Sequence, residues 1–460
     1  LEFMRGAGHM GKRHHGKGEA SGASASRGRN GAVSADAADA AAAHGCGDAA
    51  AYADAACSGA GAAEATGSVS TADVPAQPSS APFFSVVLPT YSSEPYLAAA
   101  LGDLQDQLFT DWEAIVVNDC SPDGSLSIAQ QFAAADARIR VVSHEANRGL
   151  SAARNTGFAA ARGRYVWFPD PDDRYDFTFL QSVYNSLQQH EAPVVMVGHV
   201  EEFYDAGGKV ERVQEFTFSQ ESAHLGKTKL RKHVLEFEKG THYGYAWNKV
   251  YERSYLQQGG FTFTEDLPLI EDIEFNIRVF QDLPGLNVIG APLYRYAKRE
   301  AGNLTSKFVP RYYEVHRARI EMLRNQLDSW GLLDASAKAT LGALYARYIL
   351  SALERNKQKE SGMSGSAQKE WLQGVFADEL FNELVPCAQA DSQALRLCLK
   401  PLQQRNASKC LALGGAIHAA KNGALHNLFV KLKSGREQVS LFHLWHSGWY
   451  RTPRAGSIAT

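Results

Sequence analysis

From position 83 the chain alternates between short, mostly apolar runs and longer segments whose apolar residues recur every three or four positions. The runs are FFSVVLP (83–89), WEAIVV (112–117), IRVVS (139–143), RYVWFP (164–169) and VVMVG (194–198). The first run predicts a strand buried on both faces, the second another buried strand, and the remaining three further strands. Between them, 94–108, 125–136, 150–163 and 177–189 carry helical spacing. The third of these is rich in small residues and closes on Gly163, a good helix stop. Strand–helix alternation at this spacing predicts an α/β fold with a mostly parallel, doubly wound sheet and right-handed crossovers. Ligands of such sheets bind beyond the carboxyl ends of the strands.

The pattern then changes. Residues 200–300 mix strand-like and helical pieces, with KTKLRKH (227–233) reading as the outer face of a helix. From 310 to 356 the spacing is that of amphipathic helices, through Tyr313, Ile320 and Leu323, then Leu341, Leu344, Tyr345, Ile349 and Leu353. A polar, Gly/Ser-rich break (357–370) precedes further helices. In 418–436, Leu425, Leu428, Phe429 and Leu432 are flanked by Lys421, Lys431, Lys433 and Arg436. Such a helix can lie on an anionic membrane surface, or pack on its own domain with its lysines in water.

Residues 1–82 are rich in Ala, Gly, Ser and Asp and nearly devoid of branched or aromatic side chains. They cannot bury enough surface to offset the entropy of ordering and are expected to be a disordered tail, its basic start (Lys12, Arg13, Lys17) solvated. Residues 1–3, ahead of Met4, read as cloning residues. Three regions follow: a tail (1–82), an α/β domain (83–310) and a helical C-terminal region (311–460) that contacts a membrane or a partner.

Composition narrows the function classes. Of the 460 residues, 45% are hydrophobic, which supplies a real core, and Lys+Arg 47 against Asp+Glu 50 gives no whole-chain case for nucleic-acid binding. The six cysteines form no C-x-x-C pair or metal spacing and read as reduced thiols. No apolar run is long enough to cross a bilayer and no signal-peptide core opens the chain, so the expected location is cytoplasmic, with peripheral contact at the inner face of the plasma membrane through 418–436.

Candidate chemistry clusters at strand ends. SVVLPTYSSEPYL (85–97) opens a strand into a polar loop, with Glu94 one turn on. IVVNDCSPDGS (115–125) ends a strand in Asn118 and Asp119, where a carboxylate can accept the ring N–H of a pyrimidine base; Asp123 reads as an Asx turn capping the next helix. NRGLSAARN (147–155) runs towards WFPDPDD (167–173), and Arg148 and Arg154 add positive charge suited to phosphate. Pro171 holds Asp170 and Asp172 in one turn, and such hard oxygen ligands suit Mg2+ or Mn2+ shared with a diphosphate. An EF-hand is excluded, since no Gly holds the sixth loop position and no Glu the twelfth. In PLIEDIEFNIRVF (268–280), Glu271 and Asp272 open a helix, where acids also serve as ordinary N-terminal charge stabilisation.

Together these motifs resemble family-two glycosyltransferases of the GT-A fold, a Rossmann-like architecture, especially bacterial enzymes of capsular, exopolysaccharide or teichoic-type glycan synthesis. The resemblance spans about residues 84–310 and rests on PTYSSEPYL, VNDCSPDGS, NRGLSAARNTG, FPDPDD, AWNKVY (246–251), the IEDIEF acid pair and YRYAKREAGNLT (294–305), which looks like the closing loop. Asn118 and Cys120 depart from the usual Asp and Gly, leaving Asp119 as the base contact.

The resemblance implies a metal-dependent, inverting glycosyltransferase that moves a sugar from a nucleotide donor, UDP-linked, to a hydroxyl of a glycan or lipid-linked acceptor. Pro89, Thr90, Tyr91, Glu94 and Asp119 would line the nucleotide pocket with Arg154 nearby; Asp170 and Asp172 would hold Mn2+ or Mg2+ against the diphosphate. Asp272 would be the general base with Glu271 beside it, and Trp247, Asn248 and Lys249 would border the acceptor. The alternative is a catalytically inactive nucleotide- or glycan-binding module of the same fold, opposed by acids at 170, 172 and 272. A nucleotidyltransferase or dinucleotide oxidoreductase is disfavoured because TYSSEPY stands where a Gly-rich phosphate loop would follow the first strand.

Overall fold

The computed structural model describes residues 81–422, apart from 206, 219–221, 268, 300–307 and 391–392. The N-terminal tail, most of the basic segment 418–436 and the end of the expected closing loop therefore lie outside the described residues.

The first half runs β1 (Phe84–Thr90), α1 (Glu94–Gln105), β2 (Trp112–Asn118), α2 (Ser125–Ala135), β3 (Ile139–Ser143), α3 (Leu150–Ala160), β4 (Tyr165–Trp167), β5 (Arg174–Tyr175), α4 (Phe179–Gln189) and β6 (Val194–Tyr204). There follow β7 (Val210–Phe216), β8 (Ser222–Gly226), α5 (Lys227–Lys239), β9 (Lys249–Glu252), α6 (Arg253–Gln258), α7 (Glu271–Phe280) and β10 (Gly285–Arg299). Helices α8 (Tyr312–Ser329), α9 (Ala335–Arg355), α10 (Gly365–Ala377), α11 (Glu379–Leu384), α12 (Gln393–Gln403) and α13 (Ala407–Asn422) complete the described chain.

Among the described residues the strands form one sheet in the order β3-β2-β1-β4-β9-β6-β10-β5, with β7 on β6 and β8 on β10. The first four strands are parallel, Val87 pairing with Ile115 and Val86 with Trp167. Beyond β4 the sheet is mixed, because β9 runs antiparallel to both β4 and β6. All seven residues of β1 are buried. Val86 and Leu88 face one core with Leu97, Leu101 and Leu104 of α1; Val87 faces the other with Ile115, Val117 and Ala153. Full burial of each such side chain contributes about 1.5–3 kcal/mol, so both faces drive the strand into the interior.

Two local expectations are corrected. Helix α3 ends at Ala160, and Ala161 already turns to extended backbone. Gly163 is therefore not its stop: it lies against β1, where a Cβ would come 2.5 Å from the Ser85 nitrogen. The polar break after 357 is also shorter than expected, since the Ser364 hydroxyl caps α10 by accepting from the Ala367 N–H at 3.2 Å.

Side chains lock the sheet's start. Glu113 of β2 is buried and accepts from the Ser85 hydroxyl (2.7 Å), the Arg162 N–H (2.8 Å) and an Arg140 guanidinium N–H (3.0 Å). Burial works against its charged form, but the Ser85 and Arg162 hydrogen bonds and the charge of Arg140 outweigh it and hold the carboxyl below its usual value.

The C-terminal helices share the core on the Val87 side, through Ile320, Leu323, Leu341, Tyr345 and Ile349. Polar links reinforce this: Gln326 of α8 accepts from the Tyr243 hydroxyl (2.8 Å) and donates to the Ile277 carbonyl of α7 (2.8 Å). Among the described residues no helix is long and apolar enough to cross a membrane.

Candidate active site

The turn after β4 and the start of α7 deliver acids to one place, and the ends of the parallel strands β1 and β2 lie on the same edge of the sheet. Asp119, just past β2, is buried and held by three protein donors. Its carboxylate accepts from the Arg148 N–H (2.8 Å), the Gly149 N–H (2.7 Å) and His144 Nδ1 (2.7 Å). With Nδ1–H donating, His144 Nε2 is left to accept from the Thr156 hydroxyl at 2.8 Å. His144 has no place in the sequence reading; its signal was only its position three residues before NRGL. Cys120 follows at φ 54°, a left-handed conformation that glycine adopts freely and that costs another residue about 1–2 kcal/mol.

Pro89 and Thr90 are buried, and the Thr90 carbonyl accepts from the Asp119 N–H at 2.9 Å. Tyr91 stands out, 44% exposed. Glu94 ties two loops together: its carboxylate accepts from the Gly124 N–H (2.8 Å) and its own N–H donates to Asp123 (3.0 Å). Asp123 also accepts from the Ser125 N–H, the expected Asx turn.

The centre of the arrangement is Arg154 of α3, 1% exposed. One arm of its guanidinium donates to Asp272 Oδ1 (2.5 Å), the other to Asp170 Oδ1 (3.1 Å), and Glu271 Oε1 lies 3.7 Å away. The expected metal turn and the expected base are thus joined by one buried cation. Burial pushes the Asp170 carboxyl up to about 7, Arg154 opposing and the charges of Asp172 and Asp272 adding to the rise. Burial, followed by the charge of Asp272, likewise pushes Glu271 up to about 7.

Within the DPDD turn the acids diverge. Asp173 is buried and braces the turn, accepting from the Tyr294 hydroxyl (2.6 Å) and the Ala297 N–H (2.8 Å). Asp172 keeps 42% of its side chain exposed, with Arg299 3.7 Å away. Arg299 is a second group the sequence reading passed over; its guanidinium lies 4.0 Å over the Tyr96 ring, between the start of α1 and the DPDD turn.

The residues present fit a divalent cation. Among the described residues Asp170, Asp172, Glu271 and Asp272 lie within 4 Å of the guanidinium of Arg154 or Arg299, and Glu271 Oε2 is buried without a hydrogen-bond partner. No group of three or more His, Cys, Asp or Glu converges as a preformed cage among the described residues. One or two carboxylates completed by phosphate oxygens and water is the usual way such a cation is held beside a nucleotide.

The three residues expected to border the acceptor are buried: Trp247 is 2% exposed, and Asn248 and Lys249 are 0% exposed. Lys249 Nζ donates to the carbonyls of His242 (2.7 Å), Tyr243 (3.1 Å) and Tyr245 (2.5 Å) and to Asn248 Oδ1 (2.8 Å). Burial pushes this ammonium down to about 7, while the charges of Asp272 and Glu238 pull the other way. Asn276 donates to the Gly244 and Tyr245 carbonyls. The carbonyls of Ala246, Trp247 and Asn248 accept from the Lys249 N–H, Trp167 Nε1 and the Val197 N–H. Every carbonyl from 242 to 248 is therefore bound, and the loop turns the Ala246 N–H to Asp272 Oδ2 at 3.0 Å.

Residues 85–260 match the profile of Glycosyl transferase family 2. The glycosyltransferase EpsJ of Bacillus subtilis (strain 168) is 33% identical over 275 residues, which are 60% of this chain and 78% of EpsJ. The chain belongs to glycosyl transferase family 2. The transferase is also 28% identical over 252 residues to TarS of Staphylococcus aureus (strain Mu50 / ATCC 700699), a poly(ribitol-phosphate) beta-N-acetylglucosaminyltransferase, covering 53% of this chain and 41% of TarS. The crystal structure of S. aureus TarS 1–349 in complex with UDP-GlcNAc superposes with a TM-score of 0.50 at 20% identity, covering 73% of the transferase and 92% of TarS 1–349. That likeness bears on the fold, which is the GT-A fold the motifs implied.

Proposed function

We propose that this glycosyltransferase moves a sugar from a UDP-linked donor to a hydroxyl of a glycan or lipid-linked acceptor, with inversion, in bacterial cell-surface polysaccharide synthesis. The observation that carries the reading is the buried Arg154 bridge, which holds Asp170 and Asp272 on either side of one guanidinium. TarS, whose name records transfer to a phosphate-linked polyol chain, supports an acceptor of the cell-surface kind.

In this reading Tyr91 and the β2 end at Asp119 receive the nucleotide, with Pro89 and Thr90 forming the floor and Glu94 fixing the loop above them. Asp170 and Asp172 would hold Mg2+ or Mn2+ together with the donor diphosphate, where the cation supplies Lewis-acid neutralisation of the charge left on the departing nucleoside diphosphate. Asp272, aimed by Arg154 and the Ala246 N–H, takes the proton of the acceptor hydroxyl as its oxygen attacks the anomeric carbon. The bond from that carbon to the diphosphate oxygen breaks on the opposite face, so one displacement inverts the configuration. Arg299, beside the exposed Asp172, adds positive charge where the diphosphate would lie.

The test is UDP release by purified protein across a panel of UDP-sugars, with Mn2+ and with EDTA. We expect one sugar to be preferred and chelator to suppress release. Release indifferent to both would overturn the proposal.

A further inference from the structure

Outside the acids, the largest organised feature of the site is a column of stacked rings. Tyr175 leads to Tyr294 (centroids 5.6 Å apart), Tyr294 stacks on Trp247 (4.4 Å, 14°), and Trp247 stacks on both Tyr245 (4.6 Å, 21°) and Tyr296 (5.4 Å, 26°). Tyr175, Tyr294 and Trp247 are buried, whereas Tyr245 and Tyr296 at the far end are partly exposed. The column is tied to the site already described at two places. The Tyr294 hydroxyl and the Ala297 N–H, on either side of Tyr296, bond Asp173 of the DPDD turn; Tyr245 directly precedes Ala246, whose N–H bonds Asp272.

Packing alone does not require this arrangement. Among the described residues neither the Tyr245 nor the Tyr296 hydroxyl has a hydrogen-bond partner. Polar groups rim the two rings. Lys298 Nζ lies 5.5 Å over Tyr296 and uses one of its three donors on Glu201 (2.7 Å). Gly244 leaves room for Arg319, whose Nη2 would stand 3.0 Å from a Cβ there and which is held by Glu238 at 2.6 Å. An aromatic face with free hydroxyls and a charged rim, one residue from the Ala246 N–H that bonds the proposed proton acceptor, matches a pyranose ring. The axial C–H groups of a pyranose make one face apolar, while its hydroxyls project at the edge. An acyl chain would leave the rim groups unanswered.

We infer that Tyr245 and Tyr296 form the platform on which a hexopyranose unit of the acceptor is held, its edge hydroxyls reaching Lys298 and Arg319. This rests on the glycosyl-transfer reading for the direction of the reaction but not for the binding itself, so its test does not depend on turnover. The probe is a set of four methyl glycosides, of glucose, galactose, mannose and N-acetylglucosamine, each added to UDP-saturated protein. Saturation-transfer NMR with irradiation of aromatic protons reads the contact. We expect the ring C–H protons of at least one glycoside to be saturated. The signal should fall more than five-fold in Tyr245→Ala and in Tyr296→Ala and stay within two-fold in Tyr245→Phe and Tyr296→Phe, which keep the ring. Thermal unfolding and UDP titration show whether each variant is folded. Absence of transfer to all four glycosides, or wild-type transfer in the folded alanine variants, overturns the platform. Failure of UDP release from every donor would instead count against glycosyl transfer and leave this readout standing.

Discussion

At the scale of single residues, the site depends on how few groups do several things. Asp272 receives two donors, Arg154 and the Ala246 N–H, and both fix its direction without consuming the whole carboxylate. Asp272→Asn keeps the shape and removes the proton acceptor. Transfer should fall at least about 100-fold, the usual contribution of a general base, while UDP affinity by calorimetry stays within a few-fold. Unchanged turnover in that variant would move the base elsewhere. Asp170 and Asp172 were legible as acids at a strand end and Asp272 as an acid opening a helix, but the meeting of Asp170 and Asp272 around Arg154 was not, since 118 positions separate Arg154 from Asp272. His144 was invisible for a related reason: a histidine gains meaning only from what it touches, here Asp119 and Thr156.

At the scale of elements, β1, β2 and β4 could be read directly because they are buried along their whole length and mostly apolar, whereas β3 is only partly buried beyond Ile139. Direction could not be read. A four-residue strand such as β9, KVYE, looks the same whichever way it runs, and its antiparallel insertion makes the sheet mixed. Two polar knots hold these elements and can be tested. Glu113 is held below its usual value, so the fold binds fewer protons there than the unfolded chain. Its contribution is present above the unfolded value of 4.5 and is lost as pH falls through the lower folded value. Glu113→Gln should lower stability by about 2 kcal/mol in urea unfolding at pH 7, with the gap to wild type closing in acid. Lys249→Met leaves the carbonyls of His242, Tyr243 and Tyr245 without their shared donor. It should lower stability by at least about 3 kcal/mol in urea unfolding, because buried carbonyls lose a hydrogen-bond donor. A loss under 1 kcal/mol would show that water replaces it.

At the scale of the whole molecule, the helices after 311 were foreseen as a region but not as part of the core. Their amphipathic spacing showed that each has an apolar face, not what that face covers. It covers the Val87 side of the sheet, continuous with Leu323, Tyr345 and Ile349. A chain ending at 310 would expose that surface, and we expect it to be insoluble or to lack near-ultraviolet circular dichroism. A soluble, cooperatively unfolding fragment that still binds UDP would show that the α/β part stands alone. The bound carbonyls of 242–248 have a further consequence, for change over evolutionary time. A stretch with no slack in its main chain cannot absorb an inserted or deleted residue without releasing Asp272, whereas the partly exposed ring of Tyr245 can be exchanged with the main chain left in place. Relatives that diverge in acceptor choice should therefore keep this stretch at constant length and vary the ring it presents, and directed evolution towards new acceptors would begin with substitution there rather than with loop grafting.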